Sequence, residues 1–206
     1  MPDLKEAWQL AWADLGLHAP AGLCEELLAA YEEPQRHYHS LQHLAECLAH
    51  FDQVRQLASH PGEVAVALWF HDAVYDVQGK SNEQQSADWA VRALQAAGAG
   101  EASRARVLQL IMATQHHAEV HEPDQQLLVD IDLSILGAPR PRFEEYEQQV
   151  REEYRWVPGF LFQLKRKQIL AQFLARDALF ATPAIRQSLE AAARENLATS
   201  LRNGKA

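Results

Sequence analysis

The residues best able to do chemistry in this chain are histidines and aspartates that recur in short, similar clusters. Tyr38-His39-Ser40-Leu41-Gln42-His43 is answered further on by Trp69-Phe70-His71-Asp72, and later by the acidic pair Asp130 and Asp132. Together these pieces look like the ligand set of a metal ion held inside a bundle of helices. Imidazole nitrogens combined with carboxylate oxygens suit Mn, Fe, Co, Ni or Zn, as one ion or two. Six of the ten histidines fall into two tight groups, His37, His39, His43 and His116, His117, His121, which favours a metal or acid–base site.

Each cluster also has a plainer reading. His39 and His43 stand on one face of a helix, about 5–6 Å apart at Cβ, close enough to address one ion or substrate. By themselves they read better as partly exposed histidines near a helix start. Asp72 follows the apolar run Val64-Ala65-Val66-Ala67-Leu68-Trp69-Phe70. Burying a carboxylate there is costly unless it is paired or bound to a metal, whereas an aspartate that merely ends a helix at the surface costs nothing. Asp130 and Asp132 are two apart, so on a helix only one of them faces the same site as its apolar neighbours.

The elements that must position these residues are all helical. Apolar residues recur with helical period in nearly every segment, and no alternating strand pattern occurs. Helices are expected over Leu4 to Leu15, Pro20 to Tyr31, Ser40 to Ala58, from Pro61 through Phe70, and from Ser81 to Ala97. Ser81 with Gln84 resembles a capping box. Further helices are expected from Glu101 to His117, from Pro123 to a stop at Gly137, from Phe143 to Trp156, from Leu161 to Leu179, and after Thr182-Pro183. A helix apolar on every side belongs in the middle of a domain, so the Val64–Phe70 segment is the expected centre. Trp69, Phe70, Trp89, Phe173 and Phe180 read as core. The expectation is one all-α domain over residues 1–206, a bundle of about nine or ten helices.

Composition narrows the function. The formal charge of −9 argues against a nucleic-acid polymer as partner, because such binding draws its affinity from Lys and Arg on phosphates. It leaves small anionic substrates open, since a bound cation overrides the overall field. Arg36 and the run Lys165-Arg166-Lys167 are candidate phosphate contacts, with a solvated face the default for both. No apolar stretch approaches the length of a membrane span, and Met1–Glu6 lacks the pattern of a signal peptide. Cys24 and Cys47 are too few for a disulfide framework, read as two half-buried thiols, and fit a reducing cytoplasm.

In order along the chain, His43, His71-Asp72 and a late Asp in Asp132-Leu133-Ser134 resemble the HD-domain superfamily of metal-dependent phosphohydrolases. The closer likeness is to a bacterial subgroup described as predicted HD-superfamily phosphohydrolases, and it covers most of the chain. Its recurrent pieces resemble Tyr38-His39-Ser40-x-x-His43, Phe70 through Asp76, Asn82-Glu83-x-x-Ser86-Ala87, Asp130-x-Asp132-Leu133-Ser134-x-Leu136-Gly137 and Ala193-Arg194-x-Asn196-Leu197. The first piece is also similar to the Tyr-His-Asn-x-x-His motif of cyclic nucleotide phosphodiesterases, where the second His binds metal and the first protonates the leaving group. Ser40 stands where that motif has Asn, and nothing resembles their nucleotide pocket, so cyclic nucleotide specificity does not carry over.

The resemblance implies an HD-type bundle in which His43, His71, Asp72 and Asp132 ligate a divalent ion, with His39 as general acid and Asp72 touching one ion or bridging two. The implied reaction is hydrolysis of a small phosphorylated metabolite. Asn82 and Glu83, opening a helix, either meet an anion or cap that helix. Thr114, His116 and His117 lie on a separate helix and either bind phosphate or hold a second metal, with His117 the one expected to point inward. Two other functions fit the same residues: a dinuclear-iron oxygenase using His116 or His117, and a non-catalytic metal or ligand sensor. Oligomeric state is open.

Overall fold

A computed structural model describes residues 3–115 and 120–203. Among them are ten α-helices, two short 3-10 helices and no strand, the all-α class expected from the periodicity. By internal contacts the chain forms two compact units, Met1–Val129 and Asp130–Ala206.

The first unit contains α1 (Leu4–Asp14), α2 (Leu23–Tyr31), α3 (Leu41–Val54), α4 (Pro61–Phe70), α5 (Asn82–Ala96), α6 (Glu101–Met112) and the start of α7 (Pro123–Asp132). Its centre is α4. Pro61 supplies a preset first turn, and every residue from Gly62 to Phe70 is buried. α1, α3, α5 and α6 all pack on it. Trp8 of α1 meets Trp69 edge-on at 5.0 Å, and Phe70 meets Trp89 of α5 edge-on at 5.9 Å. Trp69 and Phe70 are fully enclosed while Trp89 is half-buried.

Several boundaries differ from expectation for local reasons. α2 starts at Leu23 rather than Pro20, because Gly22 adopts φ 79° and turns the chain just ahead of the helix. The Ser81 capping box does not form; the Ser81 hydroxyl instead accepts from the Gln85 side chain at 2.9 Å. α3 stops at Val54 and continues as a 3-10 turn, Arg55–Leu57. The segment expected to run as one helix to Gly137 changes to a 3-10 helix, Leu133–Gly137, directly after Asp132.

The second unit adds α8 (Arg140–Glu153), α9 (Gly159–Leu174) and α10 (Pro183–Asn203) to that 3-10 segment. Leu133 through Gly137 are all buried. Gly137 lies against Leu189 of α10, and Asn196 donates to the carbonyls of Leu136 and Ala138 at 2.9 Å each. The Lys165-Arg166-Lys167 run is not a uniformly solvated face, since Arg166 turns inward and donates to the Glu147 carboxylate. No helix among the described residues is long and apolar enough to cross a membrane.

At Gly62 the closeness of α1 and α4 has a direct test. An added Cβ would lie 2.9 Å from the carbonyl carbon of Asp14 and from the amide nitrogen of Leu15. Backbone cannot swing aside as a flexible side chain can. Alanine returns at most about 1 kcal/mol of helix propensity, while such overpacking costs about 1–3 kcal/mol. Gly62→Ala is therefore expected to be destabilised, and urea denaturation of the variant beside the wild type checks the sign.

Candidate metal centre

Two elements of the first unit deliver the central side chains. His43 sits in the first turn of α3, and His71 caps the end of α4 with Asp72 directly after it. Their ligand atoms converge: His43 Nε2 lies 3.2 Å from His71 Nε2 and 3.5 Å from Asp72 Oδ2, and His71 Nε2 lies 3.2 Å from that same oxygen. Tetrahedral ligands about 2.1 Å from an ion stand about 3.4 Å from one another. The three separations bracket that value, so this donor set fits a transition-metal ion.

The donors are also prepared electronically. His71 Nδ1 lies 2.8 Å from the Leu68 carbonyl oxygen, which can only accept. The proton therefore resides on Nδ1 and the Nε2 lone pair faces the cluster, the usual arrangement of a metal-binding histidine. Burial by itself would raise the Asp72 carboxyl, but the imidazoles of His71, His39 and His43 hold it well below the usual carboxylate range. Both histidines are almost wholly enclosed, whereas the Asp72 side chain keeps 19% of its exposure, which makes it the solvent side of the group.

One ligand atom from each of His43, Cys47 and His71 lies within 4.8 Å of the others, a group that can hold a metal ion. Asp132, expected as a ligand, ends α7 and belongs to the second unit. Its neighbour Asp130 does something else: its carboxylate accepts from the backbone N–H groups of Ala181 and Thr182, the turn that leads into α10. The two-residue offset on a helix separates a structural carboxylate from a ligand candidate.

Other expected site residues take different positions. Arg36, expected as a substrate contact, has no exposed side-chain surface. It donates to the carbonyls of His39 (3.1 Å), Asp72 (2.6 Å) and Ala73 (2.9 Å), and its Nε to Glu33 (3.0 Å). A guanidinium so committed positions the two histidine-bearing segments and is not available to a phosphate. The Asn82 amide is also engaged, accepting from Asp76 N at 3.1 Å and donating to Asp76 O at 2.8 Å. One turn on, the Ser86 hydroxyl accepts from Val74 N at 3.0 Å. Both residues clasp the loop after Asp72, so the Asn82 side chain serves as a loop anchor. Glu83 is half-buried in the first turn of α5. Thr114 donates its hydroxyl to Ile111 O, and His116 and His117 lie outside the described residues.

His39 borders the cluster, its ring centre 6.0 Å from that of His43, and it stacks on Tyr75 at 4.1 Å. Tyr75 belongs to the loop that Asn82 and Ser86 anchor, so that loop orients His39. Cys47, expected as a half-buried thiol, is buried one helical turn after His43 on α3.

Comparison with models of known families, with curated proteins and with solved structures finds no match for this chain.

Two expectations follow from this placement. Asp130→Ala strands two backbone N–H groups and should cost about 1–3 kcal/mol with metal content unchanged, which denaturation and elemental analysis of the variant check. Arg36→Lys cannot span three carbonyls with one ammonium, so it should lower both the melting temperature and metal retention, measured on the same samples.

Proposed function

We propose that this chain is a metal-dependent phosphohydrolase of HD type, acting on a small phosphorylated metabolite such as a nucleotide or related phosphoester. The observation that carries the reading is the buried His43–His71–Asp72 group at tetrahedral ligand spacing, with a further imidazole, His39, at its edge. His43, His71, Asp72 and Asp132 are the proposed ligands. When bound, a divalent ion supplies Lewis acidity, making a water a competent nucleophile near neutral pH and offsetting charge on the phosphoryl group.

The chain's own residues do the rest. The His71 Nδ1–H bond to Leu68 fixes which nitrogen faces the ion. Asp72 remains ionised because three imidazoles surround it, so it offers a formal negative charge without first losing a proton. His39 is placed to donate a proton to the departing oxygen, and its stacking on Tyr75 restricts the ring to one plane. Exposure at Asp72, set against enclosure of His43 and His71, defines the side from which a substrate arrives. Glu83, half-buried where α5 begins just after the anchored loop, is the remaining proposed substrate contact among the described residues.

Elemental analysis of the purified chain after incubation with Mn, Fe(II), Co, Ni or Zn tests the reading. Retention in the wild type, lost in His43→Ala and Asp72→Ala, is expected, followed by hydrolysis of phosphoesters with the retained metal. A wild-type protein that keeps none of these ions overturns it. His39→Gln should keep its metal and lose about 10²–10⁴-fold in kcat; unchanged turnover would remove His39 from the proton transfer.

A further inference from the structure

We infer that α9, with the turn before it, docks this chain on an anionic lipid bilayer, the helix lying in the plane of the surface. The metal centre plays no part in this. Among the described residues seven large apolar side chains are exposed, and five of them, Trp156, Phe160, Leu161, Leu164 and Ile169, fall in this one stretch. Phe160 is 71% exposed, Leu164 58% and Trp156 55%. Single exposed apolar residues are ordinary, whereas a contiguous group marks a surface that is covered in use.

The sequence of α9 makes both its faces apolar. It packs inward through Phe162, Arg166 and Leu170, spaced at i, i+4 and i+8 and all buried. Arg151 of α8 stands over the Phe162 ring, and Arg166 bonds to Glu147 of the same helix. At about 100° per residue, Phe160, Leu164 and Ala171 fall on the opposite side. Lys165 and Lys167 are about 200° apart around the helix, so they stand on the two margins of that outward stripe.

Charge points to the occupant. From Tyr154 to Arg176 the chain holds five basic residues and no carboxylate. The second unit carries 12 Lys and Arg against ten Asp and Glu, in a chain whose formal charge is −9. The acidic excess thus belongs to the first unit alone, an asymmetry that suits a membrane-facing second unit. A second copy docked by the same face would set lysines against lysines, with no carboxylate on the segment to answer them. An anionic bilayer answers both features. Acyl chains take the apolar stripe, while the lysine stems lie along it and their ammonium groups reach headgroup phosphates. Arg155 and Trp156, exposed at the turn into α9, suit the same boundary, where an indole lies between acyl chains and headgroups. α9 has 16 residues, and no described helix is long and apolar enough to cross a membrane, so it lies on the surface.

The experiment mixes full-length protein with vesicles of phosphatidylcholine, alone or in equal parts with phosphatidylglycerol. Co-sedimentation reads binding, and the emission of Trp156, the one exposed indole of five, reads insertion. Binding to the mixed vesicles with a blue shift, and little binding to phosphatidylcholine alone, is expected. Phe160→Ser with Leu164→Gln changes only exposed side chains, so it should keep the fold by circular dichroism and bind at least about tenfold more weakly. Lys165→Gln with Lys167→Gln should weaken binding about tenfold and flatten its salt dependence. Wild-type protein that ignores the mixed vesicles overturns the proposal, as does undiminished binding by both double variants. A vesicle-independent dimer in light scattering, abolished by the Phe160 and Leu164 substitutions, also overturns it and assigns the face to a second copy.

Discussion

The first unit depends on a single cation that never reaches solvent. Arg36 bonds to the carbonyls of His39, Asp72 and Ala73, and so ties the segment entering α3 to the segment leaving α4. Its guanidinium also lies over the rings of Tyr31 and Tyr75, at 5.2 and 5.6 Å. The planar fork of arginine suits this task, since it can address several acceptors in fixed directions while its faces meet aromatic rings. Tyr31 adds a bond to the Trp69 carbonyl at 3.2 Å, closing the same junction from the α2 side. Without this framework His43 and His71 would have no shared reference, because they belong to different helices.

That framework lets an expensive arrangement persist. Two imidazoles and a carboxylate gathered in an apolar interior each lose hydration, and only mutual pairing, hydrogen bonds or a cation offset the loss. α4 sets the terms: its surface is apolar on all sides and wholly covered, so the polar groups at its end meet one another rather than water. Asp72 answers three imidazoles at once, and the Leu68 carbonyl satisfies the far nitrogen of His71. The polar cluster is thereby satisfied as a set, while any member alone would be a liability.

Much of this was legible in the sequence because it is local. The apolar run ending in His71-Asp72 and the helical period are properties of neighbouring residues, and both reappear in the structure; His39, read as sharing a helix face with His43, instead precedes α3, whose cap Ser40 is extended. Residues whose partners lie far along the chain were not legible. Arg36 read as a candidate phosphate contact because its charge advertises itself, yet it is committed to a backbone carbonyl 36 residues away. The choice between Asp130 and Asp132 turned on the Ala181–Thr182 amides, a pairing that no periodicity encodes. Cys47 read as a half-buried thiol, and its full burial beside His43 depends on packing that its own spacing does not encode.

The clamp and the histidine pair lie wholly within residues 36–73. Arg36 and Ala73 are 37 residues apart, and His43 and His71 only 28. Loop-closure entropy grows slowly with length, so contacts at this separation form at modest cost. Contacts of low sequence separation also tend to form quickly during folding. The cluster of His43, His71 and Asp72 thus lies within a stretch that can close early as the chain emerges from synthesis. Most of the candidate ligands would then meet as a consequence of helix pairing in the first third of the molecule, rather than as a final adjustment of a finished fold.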